Sequence, residues 1–168
     1  ITLKKVNASH ITPVLNKLAE AGCTIKLREN EITLKAPKKL KAVDIKTMPY
    51  PGFPTDMQAI MGATLTVATG TSIIVENIFE SRYKYMIELQ KMGAKINIEG
   101  KTAIIKGVKK LYGAKVQATD LRGGASLVLA GLVAKGTTNV ENIEYILRGY
   151  ENLDGKLKNL GAEIYMIK

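Results

Sequence analysis

PTDMQAIMGATLTVATGTSIIVENI, residues 54–78, and ATDLRGGASLVLAGLVAKGTTNVENI, residues 118–143, are one pattern written twice. Each runs from Thr-Asp through an apolar stretch to Gly-Thr, and then along a short run that ends in the same four letters, VENI. An apolar segment with no polar face predicts a helix buried on all sides, here over about 57–69 and 121–135. The β-branched residues after the Gly-Thr predict a strand.

Outward from this pair lies a second repeated element. KLAEAGCTIKLRENEITLKAP (17–37), ELQKMGAKINIEGKTAIIKG (88–107) and KLKNLGAEIYMIK (156–168) each read as an amphipathic helix, a glycine, a small residue and an alternating strand. Gly22, Gly93 and Gly161 stand where each helix must stop, the place of a left-handed C-cap. The preceding helices carry single apolar stripes: Ile11, Val14, Leu15 and Leu18; then Met86, Leu89 and Met92; then Tyr150, Leu153, Leu157 and Leu160.

Joined, the two elements give a β-α-β-α-β-β unit with a buried first helix and an exposed second one. The expected class is α/β, a single domain over 1–168 divided into a partial unit 1–42, a unit 43–110 and a unit 111–168. Set against the unit, Ile1 falls on the strand after the first buried helix, and EIYMIK stops one strand short of a hairpin. The sequence therefore reads as a piece of a longer chain.

Composition bounds the function. A hydrophobic content of 46% with 24% charged residues is that of a folded domain. The sequence contains no apolar run of the ~18 residues that a membrane helix needs, and no leader-like N-terminus. One cysteine, Cys23, excludes an internal disulfide, and with the lone His10 it makes no metal set. The formal charge of +10 favours anionic partners. The lysines are scattered, however, and the chain has no tryptophan and two phenylalanines, so it lacks the basic platform that binds nucleic acid.

Few residues have the pattern of chemistry. Asp56 follows Pro49, Pro51 and Pro54 at the start of a buried helix, with Thr55 as its expected N-cap. Asp120 holds the matching place in the next copy, as a first-turn acid complementing the helix dipole. Two buried helices starting at one end of a domain also aim free amides at one spot, an anion site to which Arg122 would add charge. Gly123 and Gly124 fit either a ligand cradle or tight helix packing. Arg82 and Arg148 occupy matching places after each VENI, either as solvated surface or as forks for carboxylate or phosphate. Cys23, at a helix C-terminus, reads as a packing residue, and His10 as a neighbour of a cap.

Four motifs in order, FPTDMQA, FESRY, ATDLRGGASLVLAGLVAKGTT and RGYE, resemble the enolpyruvyl transferases, and among them the C-terminal domain of those acting on UDP-N-acetylglucosamine. The shikimate-pathway members do not carry FPTDMQA. The resemblance covers nearly the whole chain and implies an inside-out α/β barrel domain of three such units, completed by a segment crossing from elsewhere in a two-domain enzyme. It implies transfer of enolpyruvyl from phosphoenolpyruvate to the 3-hydroxyl of UDP-N-acetylglucosamine by addition and elimination, without metal or organic cofactor, in the cytoplasm. Membranes and nucleic acids are not among the implied partners.

Position by position, the resemblance makes Asp56 the acceptor of the hydroxyl's hydrogen bond and its general base, and Arg148 a ligand of phosphoenolpyruvate. It places Asp120, Arg122 and Arg82 along the cleft, and the Ile78 backbone against the nucleotide sugar. Its reactive cysteine belongs to the other domain, and Cys23 does not match that context, so this chain alone is expected to be inactive. Two other readings remain open: a transferase whose acceptor is shikimate 3-phosphate, and a basic binding module without catalysis.

Overall fold

A computed structural model describes residues 1–167. The element order bears out the repeated unit. Strand β1 (Thr2–Lys4), helix α1 (Thr12–Glu20), β2 (Thr24–Arg28) and β3 (Glu31–Lys35) form the partial unit. The middle unit is complete, with β4 (Ile45–Lys46), α2 (Gln58–Leu65), β5 (Thr71–Val75), α3 (Lys84–Lys91), β6 (Lys95–Glu99) and β7 (Thr102–Lys106). The third has β8 (Lys115–Gln117), α4 (Leu121–Val133), β9 (Asn139–Glu141), α5 (Glu144–Leu147) and α6 (Leu153–Asn159).

The middle unit shows how the strands assort. Its sheet has the order β4-β5-β7-β6, in which β4 and β5 are parallel and the β6–β7 hairpin adds antiparallel to β5. The partial unit keeps the hairpin side, β1-β3-β2, and the third keeps the parallel pair β8-β9. The strand expected over 163–168 is not formed at 163–167, and Lys168 lies outside the described residues. In the other units the strand after the glycine is held by its hairpin partner, and among the described residues 162–167 finds no such partner. The three sheets stay separate, and no ladder closes them into one barrel among the described residues.

The glycine stops are as the pattern requires. Gly22, Gly93 and Gly161 have φ of 100°, 91° and 94°. At all three the next residue's amide reaches back five residues, Cys23 to Leu18, Ala94 to Leu89 and Ala162 to Leu157, while the glycine amide closes on the carbonyl three back. This is the Schellman arrangement that satisfies the last helical carbonyls.

The core lies among the helices and against the inner faces of the strands. Helix α2 packs along α4, with α3 across α4 and β5 and β9 outside, which is the helix-inside arrangement the resemblance implies. Ile74, Tyr85, Met86, Leu89, Ile105 and Leu127 are fully buried, each worth about 1.5–3 kcal/mol over an exposed position. Small residues set the helix spacing: a Cβ at Gly62 would run into the Tyr85 hydroxyl, and one at Gly124 would lie 2.6 Å from Ile146 Cγ1. Helix α2 is buried as its composition predicts. The far end of α4 is not, since Leu132 and Val133 are exposed beside an open groove lined by Val128, Ile143, Leu153 and Ile164. Among the described residues no helix is long and apolar enough to cross a membrane.

Candidate active site

The two Thr-Asp dipeptides start from one pattern and end in different structures. Asp120 is extended and caps α4, its Oδ1 accepting the amides of Arg122 (3.0 Å) and Gly123 (2.8 Å). It is an N-cap rather than the first-turn acid expected, and it consumes the amides that a bound anion would have used. A Cβ at Gly123 would stand 2.7 Å from Asp120 Oδ2 and 3.0 Å from Tyr85 Cβ. Both glycines of the pair therefore serve close packing, and the ligand cradle is set aside.

Asp56 lies one residue into a 3-10 turn, Thr55–Met57, that precedes α2. Pro54, not Thr55, holds the N-cap position. The Thr55 hydroxyl is drawn instead to a carboxylate, donating to Glu76 Oε2 at 2.9 Å, because a charged acceptor outweighs an amide contact. Freed from capping, Asp56 turns towards the first turn of α4. Its Oδ2 accepts from Arg122 Nη2 at 2.8 Å, and its Oδ1 lies 3.5 Å from Arg82 Nη1. The N-terminal ends of the two buried helices meet here, joined by an ion pair between units.

Each arginine is itself anchored. Arg122 Nη1 donates to the Tyr150 hydroxyl at 3.1 Å, with the guanidinium 5.4 Å from the centre of that ring. Arg82 Nη1 donates to the Thr55 carbonyl at 3.2 Å and to its hydroxyl at 3.3 Å, and the guanidinium lies 4.4 Å over Phe79. Asp56 itself keeps 54% of its side-chain surface exposed, against 27% for Arg122 and 25% for Arg82. The carboxylate is thus held from behind and open in front.

The hydrogen bond from Arg122 holds the Asp56 carboxyl below the usual carboxylate range, with the charges of Arg122 and Arg82 adding and burial opposing. The same bond raises the Arg122 guanidinium above its ordinary value. A folded-state pKa that is depressed gives a contribution fully present above the ordinary value of about 3.9 and lost only as pH falls through the lowered one. We expect carboxyl NMR of Asp56 in the full-length protein to show no titration from pH 5 to 8, and Arg122→Gln to move its midpoint upward. A wild-type midpoint at or above the ordinary value of about 3.9 would contradict the grip that Arg122 exerts.

The other expected residues are placed less tightly. Ile78 is exposed, and its amide donates to Glu76 Oε1 at 2.8 Å. Arg148, at the end of α5, stacks 5.8 Å from the Tyr145 ring centre and shares no ion pair with Asp56 among the described residues. Cys23 is buried, and burial pushes its thiol up, as suits packing. His10 sits on the surface with Nε2 3.4 Å from Asn7, the side chain that caps the 3-10 turn Ala8–Ile11. Among the described residues no three His, Cys, Asp or Glu side chains gather as a metal set would.

Sequence reasoning missed Glu76, Thr55 and Tyr150 as parts of this cluster. The signal for Glu76 was present: in TSIIVE the inward positions are Ser72, Ile74 and Glu76, an acid on the buried face of a strand.

Helices inside, sheets outside and a carboxylate gripped by arginines between two repeated units define an enolpyruvyl-transferase-type domain. Residues 1–157 match the model of EPSP synthase (3-phosphoshikimate 1-carboxyvinyltransferase), and the chain belongs to that family. Its curated relatives include the UDP-N-acetylglucosamine 1-carboxyvinyltransferases of Desulfofundulus thermocisternus, 52% identical over 98% of this chain and 68% of that protein, and of Thermodesulfovibrio yellowstonii, 56% identical over 100% and 40%. The chain spans about two fifths of the length of most of the relatives it matches. Among solved structures, the enolpyruvyl transferase NikO from Streptomyces tendae superposes with a TM-score of 0.85 at 28% identity, over 92% of this chain and 36% of that one. EPSP synthase from Acinetobacter baumannii, at 21% identity and a TM-score of 0.57 over 77% and 32%, shares the fold.

Proposed function

We propose that the protein containing this chain transfers the enolpyruvyl group from phosphoenolpyruvate to the 3-hydroxyl of UDP-N-acetylglucosamine, the first committed step of peptidoglycan synthesis in the cytoplasm. The hydroxyl oxygen adds to C2 of phosphoenolpyruvate while a proton goes to C3. The adduct then loses phosphate and the C3 proton, so the vinyl ether and inorganic phosphate leave in balance. The observation that carries this reading is the Asp56 carboxylate, gripped by Arg122 and Arg82 and open on its remaining side.

In this reading Asp56 orients the hydroxyl as an acceptor. Its depressed basicity makes it a poor base in the free protein, so it takes the proton only as the tetrahedral centre forms and the surrounding charge changes. Arg82 and Arg122 fix the carboxylate, Asp120 fixes the helix that carries Arg122, the Ile78 backbone meets the sugar, and Arg148 meets phosphoenolpyruvate. The rest of the longer protein supplies the reactive cysteine and the remaining phosphate ligands.

The family model's own name favours a second acceptor, shikimate 3-phosphate. The roughly fifty per cent identity to relatives named for the nucleotide sugar favours the first. Phosphate release by the full-length protein decides: we expect it with phosphoenolpyruvate plus UDP-N-acetylglucosamine, and none from the 168-residue chain alone. Release only with shikimate 3-phosphate would replace the acceptor, and release by the isolated chain would refute the need for the other domain.

A further inference from the structure

We infer that Glu76 is the positioning residue of this site: it locks the Asp56 turn, the Arg82 fork and the Ile78 loop into one rigid piece. The inference rests on the reaction proposed above and deepens it.

Glu76 is 1% exposed, yet its carboxylate is fully partnered. Oε1 accepts from the Thr47 hydroxyl (2.8 Å), the Ile78 amide (2.8 Å) and the Phe79 amide (3.2 Å). Oε2 accepts from the Thr55 hydroxyl (2.9 Å), whose oxygen in turn accepts from Arg82. A directional chain therefore runs Arg82 to Thr55 to Glu76, and it ends on the same carboxylate that holds the Ile78–Phe79 backbone. Asp56 is the residue after Thr55 and lies against Arg82, so the position of its carboxylate follows from this chain.

The repeat supplies an internal control. The matching acid in the third unit, Glu141 of the second VENI, is partly exposed and pairs with Lys115 at 2.8 Å on the surface. The unit thus folds without a buried carboxylate at this place. A buried charge is costly unless every donor is in place, and the copy that bears it is the one next to Asp56.

Glu76→Gln conserves shape and tests the idea in the full-length protein. Two backbone amides require the Gln oxygen on their side, so its NH2 group faces Thr55, reverses that hydrogen bond and turns the hydroxyl proton towards Arg82. Thr55→Val breaks the same link without touching Glu76. We expect kcat to fall roughly tenfold or more in both, and Thr55→Ser, which keeps the hydroxyl, to recover most of the loss. Ser72→Ala removes the buried hydrogen bond to the Val43 amide at the other end of the same strand; it should lower the thermal midpoint with kcat unchanged.

Wild-type kcat in Glu76→Gln and Thr55→Val, whatever their midpoints, overturns the inference. If Glu76→Gln does not fold, the Thr55 pair decides alone. Asp56→Asn measured alongside separates the two levels. Near-normal turnover in that variant removes Asp56 from the proposed reaction, whereas a strongly impaired Asp56→Asn beside an unimpaired Thr55→Val sinks the Glu76 inference alone.

Discussion

Asp56→Asn in the full-length protein is expected to lower kcat by roughly 10²- to 10⁴-fold, the range that a positioned proton acceptor contributes. Asparagine has nearly the same shape. It offers Arg122 and Arg82 no charge, however, and the half of the amide that bears hydrogens repels a substrate hydroxyl that must donate. Because the ion pair is partly exposed, losing it costs little stability, and the thermal midpoint should move by no more than a few degrees. Steady-state phosphate release and a melting curve on one preparation check both halves. A variant with near-normal turnover would remove Asp56 from the reaction and leave its arginine contacts as surface structure.

The second large effect falls on the scaffold. Gly107, just after β7, donates its amide to the Gly70 carbonyl at 2.9 Å, and a Cβ there would overlap the backbone carbonyl of Ala68. Neither partner is a flexible side-chain tip, so Gly107→Ala must push the 68–70 turn away from the end of β7. We expect a loss of about 3 kcal/mol, the upper end for overpacking, read as a fall of roughly 5–10 °C in thermal midpoint. Gly100→Ala is the comparison. Its φ of 57° strains an alanine, but nothing lies within 4 Å, so its cost should be about 1 kcal/mol. Equal midpoints for the two variants would show that the turn yields and that close approach is not what requires glycine at 107.

The fold was legible because it is repeated. Two apolar helices and three helix-stopping glycines recur in register, and each recurrence is an independent reading of one structure. Local chemistry also held where a single interaction decides, as at Gly22, Gly93 and Gly161, whose positive φ only glycine adopts freely. It failed where two interactions compete for one group. Thr55 has the composition of an N-cap, and the competitor that takes its hydroxyl, Glu76, lies 21 residues away across the core. Asp56 and Asp120 look equivalent for the same reason, since nothing within either stretch records which acid will meet an arginine from the other unit.

The site was legible as a set of residue types and illegible as a geometry. An acid and arginines at a shared end follow from the repeat, but the contact between Asp56 and Arg122 crosses 66 positions. Tyr150, which steadies Arg122 from behind, follows Arg148 by two residues and carries no mark of that role in the sequence. Glu76 could have been found by asking which charged residue sits on the inward face of an apolar strand.

One consequence follows from the ion pair that joins the middle and third units. The middle unit by itself holds Asp56 and Arg82, but where the third unit has Arg122 it has Gln58, so the shorter of the two arginine contacts exists only between copies. The two-sided grip on the carboxylate is a property of the tandem. With two copies side by side, Asp120 caps its helix while Asp56, its counterpart, faces solvent, so the pair divides two tasks that the shared pattern does not distinguish.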